Sequence, residues 1–253
     1  MRTRIAKFSG ALVLSALLSG CMFLAKPQAQ IPIEIVPAKI ASAQKRMVIV
    51  LPGQGNDLAD LKKFGMAGAI QEGMPDADVA LVELTLTYYV EGRATQRLHD
   101  EVIQPARQRG IREIYLAGAS MGGMGVLMYE RDFPNQLTGL ILMAPYMGGG
   151  SLIKEIKSAG LAKWAPGPAP AELSRSTVPR EEWRLAQSWL TTRERSKSVW
   201  LICGQSDQFH EAAEMLAEVL PSGHYLAPEG GHAWKVWTQA AGKVFKRIGA
   251  SGR

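Results

Sequence analysis

Apolar residues in this chain come in short, unbroken runs rather than in alternation with polar ones. The principal runs are Met47-Val48-Ile49-Val50-Leu51, Val79-Ala80-Leu81-Val82, Glu113-Ile114-Tyr115-Leu116-Ala117, residues 137–143 and Val199-Trp200-Leu201-Ile202-Cys203, and His224-Tyr225-Leu226 is a shorter one. Such runs mark strands covered on both faces. Between them lie amphipathic stretches of helical period: residues 58–72, with Asp57 as N-cap, residues 94–109, interrupted or bent near Pro105, and residues 124–131, 211–219 and 233–248. Residues 85–92 read as a loop, and residues 31–40 offer one extended edge strand. Strand and helix alternate at short intervals, which predicts an α/β fold with a mostly parallel sheet flanked by helices on both faces.

The alternation stops after Tyr146 and resumes at Val199. The intervening residues 146–197 contain Gly148-Gly149-Gly150, read as a hinge, and two or three short helices around the proline-rich residues 165–170. They also hold Trp164, Trp183 and Trp189, half of the six tryptophans. An insertion of this kind can serve as a lid over a pocket. The alternative role for at least two of the three tryptophans is to anchor it to the body.

The candidate chemistry centres on Gly118-Ala119-Ser120-Met121-Gly122, placed between a buried strand and a helix. Gly-x-Ser-x-Gly in that setting is the pattern of a nucleophile elbow, a turn so tight that its serine is held in strained backbone angles. A side chain at Gly118 or Gly122 would collide with neighbouring backbone. The amide of Met121, at a helix N-terminus, would face negative charge developing on a carbonyl oxygen. The five residues alone do not distinguish a nucleophile from an ordinary glycine turn. A serine hydroxyl needs an imidazole to take its proton and a carboxylate to orient that imidazole. Asp207 follows the strand that ends at Cys203, and His232 follows the last short strand, behind Gly230-Gly231. Order and placement suit a Ser120, Asp207, His232 set. Of the rivals, His99 lies mid-helix and reads as a surface residue, His210 falls too close to Asp207, His224 reads as packing, and Glu229 is too near His232 on the same loop.

On these motifs residues 46–248 resemble the α/β-hydrolase family, with residues 146–197 in the position of its helical cap insertion. The resemblance implies that Ser120 is the nucleophile, Asp207 the triad acid and His232 the general base. In that family the first βα turn often reads His-Gly-x-Gly and supplies a backbone donor to the oxyanion hole. Here the turn is Pro52-Gly53-Gln54-Gly55, with proline in place of histidine, and the donors by position are the amides of Gln54 and Met121. The same glycines after a strand resemble a dinucleotide-binding turn, with Glu83 as a mimic of its ribose-binding acid. Position 58 is Leu where that fingerprint has Gly or Ala, and a chain exported on an N-terminal signal at residues 1–20 would have little access to a nicotinamide cofactor. The expectation is therefore an enzyme with no cofactor and no metal.

Charge and the N-terminus add a location. Residues 1–7 are basic, residues 10–18 are apolar but too short to span a bilayer, and Leu18-Ser19-Gly20-Cys21 follows. This resembles the bacterial lipobox, in which the cysteine receives the lipid and becomes the mature N-terminus. The alternative is an ordinary secretion signal with a coincidental cysteine. The reading is a leader over residues 1–20, a lipidated tether over 21–45, rich in Pro, Gln, Ala and Ser, and a hydrolase domain over 46–253. Loss of Arg2, Arg4 and Lys7 with the leader brings the net charge from +6 to +3. That excess is mild, no dense basic run with interleaved aromatics occurs, and no nucleic-acid partner is expected. Lys62-Lys63 and the cluster at residues 193–197 read as solvated faces. Cys203, the only other cysteine, reads as a small buried hydrophobe.

Two classes of function remain open. One is a serine hydrolase acting on a small-molecule or lipid ester, held on a membrane of the bacterial cell envelope, outside the cytoplasm. The other is a membrane-tethered binding or assembly protein that keeps the scaffold without the chemistry. Tyr88, Tyr89, Tyr146 and the insertion tryptophans are candidates for the wall of an acyl pocket, or for ordinary core.

Overall fold

A computed structural model of the protein describes residues 28–43 and 45–251. The leader and Cys21 lie outside the described residues.

The apolar runs form a seven-stranded sheet. Its strands are β1 (Ile33–Val36), β2 (Arg46–Leu51), β3 (Ala77–Val82), β4 (Glu113–Ala119), β5 (Gly139–Met143), β6 (Val199–Ile202) and β7 (Tyr225–Leu226), in the order β1-β3-β2-β4-β5-β6-β7. Every pair is parallel except β1 with β3. The five inner strands are almost wholly buried, which is why their sequences do not alternate. Their C-terminal ends stand level: Leu51 is opposite Gly118, Ala119 opposite Met143, Met143 opposite Ile202, and Ile202 opposite Leu226. Loops leaving these ends share one edge of the sheet.

The edge strand expected in residues 31–40 is β1, so the sheet begins inside the segment read as tether. That segment is bound from its first described residue. Arg97 donates to the carbonyls of Gln28 and Ala29, Ile31 N donates to Glu101, and the amides of Lys39 and Ile40 share the carbonyl of Pro75.

Helices α1 (Leu58–Lys63) and α2 (Met66–Gly73) connect β2 to β3. Asp57 caps α1, its carboxylate accepting from Asp60 N at 2.9 Å. The single helix expected over 58–72 is broken at Gly65, which has a left-handed φ of 69°. The loop expected over 85–92 instead holds a short helix, α3 (Leu86–Val90). Its residues are too few to show a helical period. The stretch 94–109 is α4 (Ala94–Leu98), a π turn (His99–Ile103) and α5 (Gln104–Gln108). The interruption thus precedes Pro105, whose missing N–H is accommodated by the wider turn.

Helix α6 (Met121–Asp132) follows β4, and α7 (Gly150–Ala159), α8 (Val178–Ser188) and α9 (Arg193–Ser196) make up the insertion. The last two are α10 (His210–Ala217) and α11 (Trp234–Ser251). Strands β2 to β3 and β3 to β4 progress in opposite directions across the sheet. Right-handed crossovers then put α1 and α2 on one face and α4, α5 and α6 on the other. The packing agrees: α11 lies along α2, while α4 and α8 lie against α6.

The insertion is part of the hydrophobic core. Trp164, Trp183 and Trp189 are all buried, and Trp183 Nε1 donates to Met147 O at 2.9 Å. These tryptophans are anchors rather than pocket walls. The Gly148-Gly149-Gly150 run is ordered: Gly149 caps α7, and its carbonyl accepts from Leu152 and Ile153. Arg195 departs from the solvated reading of its cluster. It makes a two-pronged ion pair with buried Glu130 of α6, both contacts at 2.6 Å, which ties the end of the insertion to α6.

Candidate active site

The elbow is built as the glycine spacing requires. Ser120 has φ 54° and ψ −113°, a conformation that a side-chain-bearing residue adopts only under constraint. Its amide donates to Met143 O at 2.8 Å, and its carbonyl accepts from Met124 N and Tyr146 N, both at 3.1 Å. These bonds fix the β4–α6 turn against the end of β5 and the first turn of α6. A Cβ on Gly118 would lie 2.2 Å from Gly122 O, one on Gly122 would lie 2.6 Å from Pro52 O, and one on Gly123 would lie 2.9 Å from Pro145 Cα. Three backbone segments therefore meet at separations that exclude any side chain. The serine is left partly exposed at the C-terminal edge of β4, the middle strand of the sheet.

Asp207 and His232 come together on the loops after β6 and β7. Two backbone bonds zip these loops, Gln205 N to Pro228 O and Ser206 N to Gly230 O, each 2.9 Å. Gly204 allows the approach, since a Cβ there would lie 2.3 Å from Gly230 O. His232 Nδ1 is 2.9 Å from both carboxylate oxygens of Asp207, whose side chain is fully buried. The same carboxylate accepts from Phe209 N at 2.9 Å. A carboxylate only accepts, so Nδ1 carries the proton and Nε2 is left as the acceptor. Phe209 and Trp237 meet the imidazole edge to face, with ring centroids 5.0 and 4.6 Å from it, and hold it between them.

No hydrogen bond joins the Ser120 hydroxyl to His232 among the described residues. Two chains of contact nevertheless place them at one site. Tyr146, whose amide binds Ser120 O, packs on Phe209 at 5.7 Å, and Phe209 packs on His232. On the other side, a Cβ on Gly53 would lie 3.8 Å from Ser120 Cβ and 3.2 Å from Asn56 Oδ1. That oxygen accepts from Trp234 Nε1, two residues beyond His232. The Gly53–Asn56 turn is closed by Asn56 N to Gly53 O. Neither the Gln54 N–H nor the Met121 N–H has a hydrogen-bond partner among the described residues, so both remain available at the elbow.

The rivals fall elsewhere. His210 contacts Tyr225 and Glu214. His224 stacks on Trp200 at 4.0 Å, and Glu229 is exposed. His99, read as a surface residue, is half-buried: it stacks on Phe133 at 4.0 Å and hydrogen-bonds the Tyr129 hydroxyl. Cys203 is buried and free, its thiol pushed up to about 12 by burial and by the Asp207 charge. Among the pocket-wall candidates, Tyr146 stands at the site and is 37% exposed, whereas Tyr88 is buried. Two cavities, of about 130 and 310 Å³, lie away from Ser120, one beside β1 and one at the N-terminal ends of β2 and β4. Among the described residues no group of three or more His, Cys, Asp or Glu side chains could hold a metal ion.

The sequence reading missed the residues that set the imidazole, namely Phe209, Trp237, and the Asn56–Trp234 bond. Phe209 and Trp234 each lie two residues past a singled-out position, and that proximity was the available signal.

No protein-family model matches the sequence, and no curated protein matches it either. Solved structures do match in shape. MPT51 of Mycobacterium tuberculosis superimposes with a TM-score of 0.63 at 16% identity, over 88% of this chain and 94% of that one. FphF, a fluorophosphonate-binding serine hydrolase of Staphylococcus aureus, does so at 0.61 and 12%, over 86% and 91%. Est1E of Butyrivibrio proteoclasticus gives 0.57 and 17%, over 87% and 93%. With this likeness, and with a glycine-bound elbow on the central strand of a mostly parallel sheet, the chain has the α/β-hydrolase fold.

Proposed function

We propose that the protein is a serine hydrolase that cleaves carboxylic esters through an acyl-enzyme on Ser120. The observation that carries this reading is the buried Asp207 carboxylate held 2.9 Å from His232 Nδ1, on the sheet edge that carries the strained serine. His232 Nε2 takes the proton as Ser120 Oγ attacks the acyl carbon. The carbonyl π electrons move to oxygen, and the oxyanion accepts from the Gln54 and Met121 amides. Collapse expels the alcohol, which takes the proton from His232. Water, deprotonated by the same nitrogen, then attacks the acyl carbon and releases the acid and free Ser120. That no hydrogen bond joins Ser120 to His232 among the described residues is compatible with this, because such bonds tighten when substrate binds.

Residues 146–197 are proposed as the cap, with Tyr146 facing the acyl group. Residues 1–20 are proposed as a leader and Cys21 as the lipidated N-terminus, which would hold the enzyme on a membrane of the cell envelope, outside the cytoplasm. Metabolic labelling with an alkyne-bearing fatty acid should mark the wild type and not Cys21→Ala. Equal labelling of both would remove the anchor. The chemistry is tested by turnover of short-chain p-nitrophenyl esters: wild type should turn over, and Ser120→Ala should fall by a factor of about 10⁴ or more with unchanged circular dichroism. Full activity in Ser120→Ala would refute the assignment.

A further inference from the structure

We infer that the catalytic edge of the sheet faces the bilayer, so that the substrate is a long-chain acyl ester resident in the membrane. The inference rests on the serine-hydrolase reading and on lipidation of Cys21, and deepens both.

The polarity of β1 carries it. β1 runs antiparallel to β3, with Ile33 opposite Val82, the last residue of β3. Just before it, Pro32 O accepts from Glu83 N at 2.9 Å, beyond the C-terminal end of β3. Earlier still, the Gln28 and Ala29 carbonyls are clamped by Arg97, whose guanidinium lies 4.8 Å above the ring of Tyr88 in α3. Helix α3 and the start of α4 follow the C-terminal end of β3. The N-terminal segment therefore joins the domain at the edge that carries Ser120, Asp207 and His232, not at the opposite one. In the sheet order β1 stands three places from β4, so that junction lies about 14 Å along the edge from the elbow.

The sequence distance from Cys21 to the first described residue is short. Gln28 follows Cys21 by seven positions, which reach at most about 25 Å when fully extended. A domain of this length is about 45 Å across. An anchor at Cys21 would thus keep the catalytic edge close to the bilayer and the opposite edge remote. The surface at the near edge is suited to lipid. Of the four exposed large apolar residues among the described ones, Val90 in α3 and Tyr146 beside Ser120 lie there. The end of α11 lies at the far edge: the helix starts beside the site, and Ile248 near its end shares a cavity with Arg46 and Glu113, the first residues of β2 and β4.

The test compares tethers on the mature chain, residues 21–253 with Cys21→Ser. A polyhistidine tag is placed before residue 21 or after Arg253, and each form is bound at equal density to phosphatidylcholine vesicles bearing a nickel-chelating lipid. A donor dye on Glu229→Cys reports the catalytic edge, and one on Ser222→Cys, in the loop before β7, reports the opposite edge; both positions are exposed. With the N-terminal tether, energy transfer to a rhodamine lipid should be stronger from position 229, and with the C-terminal tether stronger from 222. Vesicles carrying 4-methylumbelliferyl oleate should be hydrolysed about tenfold faster by the N-terminally tethered form, through its higher effective concentration. Both forms should turn over 4-methylumbelliferyl acetate equally. Equal rates on the vesicle ester, or stronger transfer from 222 under the N-terminal tether, would overturn the inference. Turnover of neither ester, with the transfer pattern intact, would instead overturn the hydrolase reading and the substrate class, leaving the orientation standing.

Discussion

At the scale of single residues, the site depends on places where a side chain is excluded and on one proton held in one position. Gly118→Ala would drive a methyl to 2.2 Å from Gly122 O, and both groups are backbone in a packed turn. It should cost several kcal/mol, as overpacking combined with strain does, and reduce soluble yield. Gly149→Ala, where an added Cβ meets nothing within 4 Å, should be close to neutral in urea unfolding. If both behave alike, the elbow is looser than described. Asp207→Asn keeps the contact to His232 but offers an amide N–H where Nδ1–H donates, which favours the wrong tautomer. The expected fall in kcat is about 10⁴, with little loss of stability; a loss under tenfold would show that Asp207 does not orient the base. The legible part of the site is legible for the same reasons. Gly118, Gly122 and Gly230 write their geometry into the sequence because an added side chain would collide there. Phe209 and Trp237 do not, since aromatics beside an imidazole look in sequence like aromatics in any core.

At the scale of elements, the insertion is held to α6 by contacts of opposite character. The Arg195–Glu130 pair is nearly dry, with side-chain exposures of 12% and 3%. Arg195→Ala would leave a buried carboxylate without its partner and should cost about 3–5 kcal/mol. Lys197→Ala, whose partner Glu194 is almost fully exposed, should change stability by less than about 0.5 kcal/mol. Chemical denaturation of both variants measures the difference, and similar midpoints would contradict the buried bridge. Elsewhere on the same face, Glu182 of α8 is 2% exposed, and neither its carboxyl oxygens nor the Tyr89 hydroxyl has a hydrogen-bond partner among the described residues. Burial holds its carboxyl well above the ordinary 4.5, against an opposing pull from Arg131. The folded chain therefore keeps a proton there that the unfolded chain has released. That contribution to stability is complete below pH 4.5 and is lost as pH rises toward the raised value, by up to about 1.4 kcal/mol per pH unit. Glu182→Gln has no proton to lose, so its melting temperature should fall less than that of wild type across this range. Parallel curves would contradict the buried neutral acid. None of this was visible in sequence, where Glu182 and Arg195 sit in ordinary polar helical patterns and only the fold decides which face is dry.

At the scale of the whole molecule, continuous apolar runs were enough to foresee a parallel sheet with helices on both faces. Register, and the level alignment of the strand ends that gathers Ser120, Asp207 and His232 on one edge, needed the structure. The direction of β1 was beyond periodicity altogether, because four residues of an edge strand read the same in either direction. Yet that direction decides which end of the molecule an N-terminal lipid would bring to a membrane. The proposed chemistry rests, however, on the nucleophile. The most direct measurement is mass spectrometry of the tryptic digest after treatment with a fluorophosphonate, the class of probe bound by the structural neighbour FphF. The peptide of residues 113–131 contains one serine, Ser120. The account predicts a phosphonate adduct on that peptide, at Ser120, absent from Ser120→Ala and strongly reduced when His232 is replaced by Ala. An unmodified peptide from folded protein, or an adduct elsewhere that persists in Ser120→Ala, would contradict it.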